Sequence, residues 1–356
     1  MCIQLTIESK EPRLDRLLVR LRPDIPRSRW ESWIGAGKVL VNGEPAAKNG
    51  LALKAGDVLE CDLPDLAPPA AHLEPEDIAL PTLFEDDRLW IIAKPAGMVV
   101  HPGPGHRSGT VLNALLAKLG RSAPVMEGDE DDEEGDGETA KGWPGLVHRL
   151  DRYTSGCLAM AKDEDAKSFL QAQFKARTVE KTYLALARHS RRLPELGSLL
   201  VDAPIARHRH DRTKMAINSS GRSAVTSVKV IHVSNGLALV SCGLKTGRTH
   251  QIRVHLASLG APLLGDPLYG GPGAWKGLDG TQVECPHPAL HAWRLELDHP
   301  DGRRVAIVAE PPDDFLECLR AFGLAEAMKR LTASVTSLNC TCYDVPVPGG
   351  SGWWQG

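Results

Sequence analysis

No stretch of this chain is apolar for long enough to cross a bilayer, which takes about 18 consecutive apolar residues. Its opening, MCIQLTIESKEPRLD, has no basic region leading into an apolar stretch and no small-residue cleavage site. Nor is that opening Arg/Ser-rich and acid-poor, as a transit peptide would be. No membrane partner is therefore expected, and the cytoplasm is the expected location. A disulfide framework is also missing. The eight cysteines stand at 2, 61, 157, 242, 285, 318, 340 and 342, a scatter that fits reduced thiols. Only Cys340 and Cys342 are close, and C-x-C without partners is a weak metal signal. Paired carboxylate–histidine motifs are absent too. The H-x-H pair of His208 and His210 lies in ARHRHDRTK, whose arginines would repel a divalent cation. His250 and His255 are near Arg253 without completing a ligand set, so no metal site is expected and a metal-dependent hydrolase is disfavoured.

What is present is ordinary in bulk. The 356 residues suit two domains, and 42% apolar content allows a sizeable core. The net charge of −3 misleads, because Glu127 to Glu138 carries nine carboxylates and no cation; taking those away leaves +6. A mildly basic body with an acidic loop permits a nucleic-acid partner. The run itself reads as a solvent-exposed or disordered insertion over 127–138.

Periodicity divides the chain. Leu14, Leu17, Leu18 and Leu21 form a helical stripe, with Pro23 and Pro26 as its breakers. A second helix from about Ser28 ends near Gly35 or Gly37. Val39-Leu40-Val41 and AGDVLECDL read as strands, and Asn42-Gly43 as a tight turn. These elements make a small unit over 10–63. Between Lys10 and Glu60 it holds ten Lys/Arg against seven Asp/Glu, with most arginines, Arg13, Arg27 and Arg29 among them, on or beside the helices. A solvated helical face explains them as well as a ligand surface does. Pro64, Pro68, Pro69, Pro75 and Pro81 mark a linker over 64–82.

A larger unit is expected over 83–322. LWIIAKPAGMVVHPG reads as a strand, a turn and a second short strand, and TVLNALLAKLG as a helix stopped by glycine. CLAMA reads as a buried strand. Asp163 can cap a helix that puts Ala166, Phe169, Leu170 and Phe174 on one face. KTYLALA alternates as a strand, and VKVIHVSNGLALVSCGL is a hairpin closed by Asn235-Gly236. THQIRVHLASLG is a helix with Ile252, Leu256 and Leu259 on one face and Arg253 on another side. Hairpins outnumber crossovers, so an α+β fold around a largely antiparallel mixed sheet is expected. Residues 336–356 read as a disordered tail.

HRLDRYTSG surrounds one carboxylate, Asp151, with two arginines and a histidine. Taken alone it is a turn aspartate; Tyr183 alone is a core strand residue, and Arg253 alone a helix-surface arginine. Taken in order, KPAGMVVHPG, HRLDRYTSG, KTYLAL and TGRTHQIRVHLASLGAPLLGDPLYGG resemble the RluA family of RNA pseudouridine synthases, and within it the RluD-like branch. The resemblance spans about residues 10–322. The small unit resembles the RNA-binding domain first described in ribosomal protein S-four.

The resemblance implies a uridine-to-pseudouridine isomerase without a cofactor. Asp151 would attack the sugar or remove a sugar proton; the residues leave both routes open. Arg253 would be its basic partner, and a bidentate guanidinium pair is expected. An opposite charge 4 Å away at an effective dielectric of about 20 contributes roughly 4 kcal/mol, enough to offset burial that would neutralise the acid. Tyr183 would stack near the uracil and is the candidate base for the proton on carbon 5. The uridine must first be turned out of its helix. Arg149 and Arg152 would hold phosphates or fill the vacated stack, and His148 would support the loop. Arg13, Arg27 and Arg29 in the small unit, with Arg207 and Lys214 in the basic ARHRHDRTK loop, are further RNA-contact candidates. Large-subunit ribosomal RNA is the implied target, and a monomer the expected state. A plastid or mitochondrial location stays open, as does a non-catalytic RNA-binding or ribosome-assembly role, which would not need Asp151, Tyr183 and Arg253 together.

Overall fold

The computed structural model describes residues 2–22, 25, 27–62, 72–103, 106, 108–124 and 144–336. The breakers Pro23 and Pro26, the linker residues 64–71, the acidic run at 127–138 and the tail beyond 336 lie outside the described residues. Two compact units divide the chain, Met1–His72 and Leu73–Gly356.

In the first unit the strands Cys2–Thr6 (β1), Val39–Val41 (β2), Glu44–Pro45 (β3) and Val58–Asp62 (β4) form one sheet in the order β1-β4-β2-β3. β1 lies ahead of the sequence-based start at residue 10. It belongs to this unit because every residue of it pairs antiparallel with β4. The helices Leu14–Leu21 (α1) and Arg27–Gly35 (α2) pack on it through Leu14, Leu17, Leu18, Trp30 and Ile34. Asn42 and Gly43 both take positive φ, 56° and 80°, as a two-residue hairpin turn of this hand requires.

The second unit is built on a nine-stranded sheet. Its strands are Thr82–Glu85 (β6), Leu89–Lys94 (β7), Ser155–Ala161 (β9), Glu180–Arg188 (β10), Gly197–Asp202 (β11), Val225–Ser234 (β14), Leu237–Leu244 (β15), Leu290–Asp298 (β18) and Arg304–Val308 (β19). Their order is β11-β14-β15-β10-β18-β9-β7-β6, with β19 on β18. All pairs are antiparallel except β9 with β18. Three short pairs complete the strands: His72–Leu73 (β5) with Ala123–Pro124 (β8), Ile205–Arg207 (β12) with Met215–Ile217 (β13), and Ala274–Lys276 (β16) with Gln282–Glu284 (β17).

Side-chain alternation along β10 sets the two faces. Tyr183, Ala185 and Ala187 join the cluster that packs the helices Val111–Leu119 (α3) and Gln251–Ser258 (α5). Leu184 and Leu186 face the helices Asp313–Ala321 (α6) and Ala325–Thr336 (α7). The helix Glu164–Ala176 (α4) covers a neighbouring patch with Ala166, Leu170 and Phe174. The α+β expectation holds in this mixed, mostly antiparallel sheet. Among the described residues, no helix is long and apolar enough to cross a membrane.

Two local expectations are corrected. Val99 and Val100 form no strand. Their carbonyls accept from the backbone N–H of Val111 and Leu112, the otherwise unpaired first donors of α3, at 3.0 Å each. Phe169 stays 39% exposed, because the buried stripe of α4 runs through Ala166, Leu170, Gln173 and Phe174. Asp163 does cap this helix, accepting from Ala166 N–H at 2.8 Å.

β9 begins against β18 at Gly156, whose φ is +108°; a Cβ there would lie 2.2 Å from the Ala292 carbonyl oxygen. Gly156→Ala should therefore destabilise the unit by roughly 3 kcal/mol or more, through both the close approach and the backbone strain. Denaturant unfolding of the two proteins measures it.

Candidate active site

Three strands of the sheet gather the three motifs. β9 follows the HRLD loop directly. β10 carries Tyr183, next to an irregularity in its pairing with β18 at Thr182/Tyr183. β15 leads into α5, which carries Arg253. Because β15, β10, β18 and β9 are adjacent, Asp151, Tyr183 and Arg253 line one cleft with Leu150, Leu244, Ile252 and Leu290 as apolar wall. A broader continuation of the cleft adds Arg152, Tyr153, His287 and Asp266.

Arg253 is buried to 9% exposure. Its fork does not close on Asp151 as expected. Nε and Nη2 donate to Asp266 at 2.7 and 2.9 Å, a bidentate pair with a fully buried carboxylate. Nη1 is left facing Asp151 at 3.6 Å, too long for a hydrogen bond. The competition is decided by burial: Asp151 keeps 24% of its side chain exposed, whereas Asp266 has no water to turn to. Burial opposes the charge on Arg253, but hydrogen bonding and charge from Asp266, with a smaller contribution from Asp151, raise its pKa. The guanidinium also lies 5.0 Å over the Tyr269 ring.

Tyr183 is 8% exposed. Burial, and after it the negative charge of Asp151, raise its pKa, so the phenol is protonated near neutrality. His250 caps α5 from a left-handed backbone with φ 57°, and its Nδ1 is 2.8 Å from the Tyr269 hydroxyl. That hydroxyl accepts from Met215 N–H at 2.9 Å, which leaves its own proton for His250. Burial lowers the His250 pKa, in keeping with a neutral acceptor ring.

The loop bearing Asp151 is braced from beneath. Lys94 is 1% exposed, and its ammonium donates to the carbonyls of Pro95, Met98 and Arg152 at 2.9, 2.8 and 3.0 Å. Burial draws its pKa down to about 7, and the charge of Asp151 works the other way. Gly97 N–H donates to the Arg152 carbonyl, and Arg152 Nε returns a bond to the Gly97 carbonyl. His148 is a core residue: its Nε2 accepts from Ala159 N–H at 2.9 Å and its ring stacks on Phe174. It is 3% exposed.

The remaining sequence candidates divide. Arg149 is exposed at the cleft. Arg152 is exposed but tied to Gly97 and to His106, 3.1 Å away. Arg207 donates to the Arg212 carbonyl and Lys214 pairs with Asp211, both partly exposed on a hairpin where Arg209 and Arg212 are also exposed. His208 turns Nδ1 to the backbone N–H groups of His210 and Asp211. Among the described residues, no His, Cys, Asp and Glu cluster is arranged to hold a metal. In the first unit, Arg13 and Arg27 both pair with fully buried Asp15, at 2.8 and 2.7 Å, while Arg29 lies 5.8 Å over Trp33.

Sequence reasoning missed Lys94 and Asp266. Both lie inside quoted motifs, KPAG and GDPLYG, and the signal available was a charged residue inside an apolar, glycine-rich run.

Residues 88–258 match the family model described as RNA pseudouridylate synthase, and 12–59 match the S4 domain. A Nitrosomonas europaea protein named ribosomal large subunit pseudouridine synthase D is 40% identical over 87% of this chain and 84% of its own length. A rice protein named RNA pseudouridine synthase 2, chloroplastic, is 38% identical over 83% of this chain and 76% of its own. The solved structure of human RNA pseudouridylate synthase domain containing 1 matches with a TM-score of 0.50 at 21% identity, covering 76% of this chain and 97% of that one; it shows the fold. The fold is that of an RNA-modifying isomerase, and the chain belongs to the RNA pseudouridine synthase family. Its first unit is an S4 domain and its partner is RNA.

Burial drops the His148 pKa from 6.5 to about 3. The unfolded chain thus binds a proton that the native state refuses between those values, and stability falls as pH falls from 6.5 to about 3. The group's contribution over that window is roughly 5 kcal/mol. His148→Gln keeps an acceptor for Ala159 N–H and should flatten this part of the stability–pH curve, as read by urea unfolding at stepped pH.

Proposed function

We propose that this synthase modifies uridines of large-subunit ribosomal RNA, with Asp151 as the carboxylate that works on the sugar. The observation that carries the reading is the convergence of Asp151, Tyr183 and Arg253 on one cleft, with Arg253 Nη1 3.6 Å from Asp151. The names of the bacterial relatives support the substrate class, and the S4 domain supports structured RNA. The protein acts as a monomer in the cytoplasm, or in an organelle, as the rice relative's name suggests.

The reaction breaks the bond from C1′ to N1 of uracil and rejoins C1′ to C5. A carboxylate beside C1′ suits the positive charge that develops on the sugar. Asp151 serves by attack at C1′ or by removal of a sugar proton. Tyr183 supplies the face on which the turned-out base lies and is the candidate base for the C5 proton. Arg149, exposed at the cleft, fills the gap that the extruded base leaves. The cleft's apolar wall of Leu150, Leu244, Ile252 and Leu290 keeps the freed uracil from drifting away. Arg29, Arg209 and Arg212 offer outward charge for phosphates, with the exposed part of Arg13 and Arg27.

Asp151→Ala should abolish pseudouridine formation, by roughly 10³-fold or more, with RNA affinity retained; undiminished modification would remove Asp151 from the chemistry. Tyr183→Phe keeps the ring and should slow turnover about 10²-fold, whereas Tyr183→Ala should also weaken binding by roughly 1–3 kcal/mol. Single-turnover assays with gel-shift affinities separate the two effects. Pseudouridine mapping in cells lacking the protein tests the substrate. Sites vanishing from large-subunit RNA support it, and sites vanishing only from transfer RNA replace it.

A further inference from the structure

The cleft has two compartments, each with a tyrosine ring in its wall. Tyr183 lines the inner one, and Tyr153 lines an outer chamber of about 500 Å³, inside the range of ordinary small-molecule sites. Arg149, Asp151 and Arg253 border both. We infer that the outer chamber is a subsite for a second unpaired nucleotide, the neighbour of the target uridine, whose base stacks on Tyr153. This rests on the reading that the uridine enters the inner compartment beside Asp151.

Tyr153 is 42% exposed, whereas the next two residues of its loop, Thr154 and Ser155, are buried. The His287 ring lies nearly parallel to it, with planes 9° and centroids 5.8 Å apart. Such an offset pair leaves part of the tyrosine ring uncovered. Both partners of the ring are themselves held. His287 stands between Pro286 and Pro288, which restrict its backbone. Its Nε2 is 2.9 Å from an Asp314 carboxylate oxygen, and a Cβ on Gly265 would lie 2.0 Å from its carbonyl oxygen. The Arg152 guanidinium lies 5.1 Å from the Tyr153 centroid, with Nε donating to the Gly97 carbonyl. The ring is therefore ordered before RNA arrives, and stacking on it does not carry the cost of fixing a loose side chain.

Placement supplies the occupant. Tyr153 is two residues from Asp151, and two residues of chain span at most about 7 Å. A strand that presents one sugar to Asp151 thus carries a flanking nucleotide past Tyr153. Arg149 and Arg152 are exposed beside the same chamber, where their charge suits the phosphate that joins the two nucleotides. Every base has a flat face, so stacking accepts any neighbour. What it selects is a neighbour free to leave its helix, and the subsite favours uridines in loops over uridines locked in a duplex.

The test uses the full chain and a hairpin RNA around a uridine that mapping shows it to modify. Gel shifts give affinity, and single-turnover assays at saturating enzyme give the rate. Tyr153→Ala should weaken binding about 10-fold, within what one base on one aromatic ring supplies, and Tyr153→Phe should bind as wild type does. An abasic residue on one side of the uridine should cost the wild type the same factor and cost Tyr153→Ala nothing more. A tyrosine that only shapes its loop would lose affinity in addition to the abasic loss. Full affinity in Tyr153→Ala, or an additive loss with abasic residues on both sides tried in turn, overturns the inference. Should Tyr153→Ala not fold, Tyr153→Leu keeps bulk without the flat face and decides: binding as tight as that of Tyr153→Phe overturns the inference. Asp151→Ala runs beside these variants. Activity there sinks the reading of Asp151, while a dead Asp151→Ala with unaltered binding by Tyr153→Ala sinks this inference alone.

Discussion

One guanidinium between two carboxylates governs this cleft. Arg253 is buried, and a buried cation with no anion would be expelled or neutralised. Asp266 supplies the anion at hydrogen-bonding distance, in a place that water does not reach. Asp151 is then left with the guanidinium's third edge at a distance where attraction persists and directional bonding does not. That arrangement sets an acid group among apolar walls and beside a cation without closing the two into a bidentate pair. Moving either carboxylate by an ångström would convert it into an ordinary buried ion pair or an ordinary surface aspartate.

Much of the surrounding architecture can be understood as holding Asp151 at that distance. Lys94 saturates its three donors on the carbonyls of two loops, which ties the turn after β7 to the residue after Asp151. Gly156 allows β9 to start hard against β18, so the loop before it has little freedom. His148 contributes a neutral ring acceptor for Ala159 N–H, and because burial keeps it neutral it adds no charge beneath the aspartate. Across the cleft, Gly265 admits the His287 carbonyl so closely that the Asp266 loop cannot slide. None of these four needs to meet the RNA. Each removes a direction in which one of the two carboxylates could drift.

The sequence made the elements legible wherever a period was clean. The leucines 14, 17 and 18 of α1, the alternation in KTYLALA, the cap at Asp163 and the Asn-Gly turns appear where local chemistry puts them, while Leu21 at the end of the stripe is left 40% exposed. It was less informative where the deciding partner is distant. Val99 and Val100 look like a strand until α3 claims their carbonyls. Phe169 fits the helical face on paper and sits at its wet edge. Arg207 and Lys214 stand out in the sequence for their charge alone, and only the fold shows that each also bonds a neighbour within its hairpin. The active-site trio was identified through resemblance to a family and not through spacing. Arg253 does reach Asp151, at 3.6 Å, while its bidentate fork closes on Asp266, because nothing in a linear motif says which of two aspartates a fork will choose. Burial makes that choice, and burial is a property of the fold.

The same electrostatics bears on when Tyr183 can move a proton. Its pKa is raised by burial first and by the charge of Asp151 second. In the resting cleft the phenol therefore keeps its proton. On the proposed chemistry, attack at C1′ would spend the charge of Asp151 in a new bond, and removal of a sugar proton would spend it on that proton. Either way the charge returns when C1′ rejoins C5, because that step must break the bond to Asp151 or give the sugar its proton back. Asp151 is thus a carboxylate again when the rejoined base must lose the hydrogen on C5. The restraint on Tyr183 is then the same as in the resting cleft, so a Tyr183 that takes the C5 proton must first hand its own on.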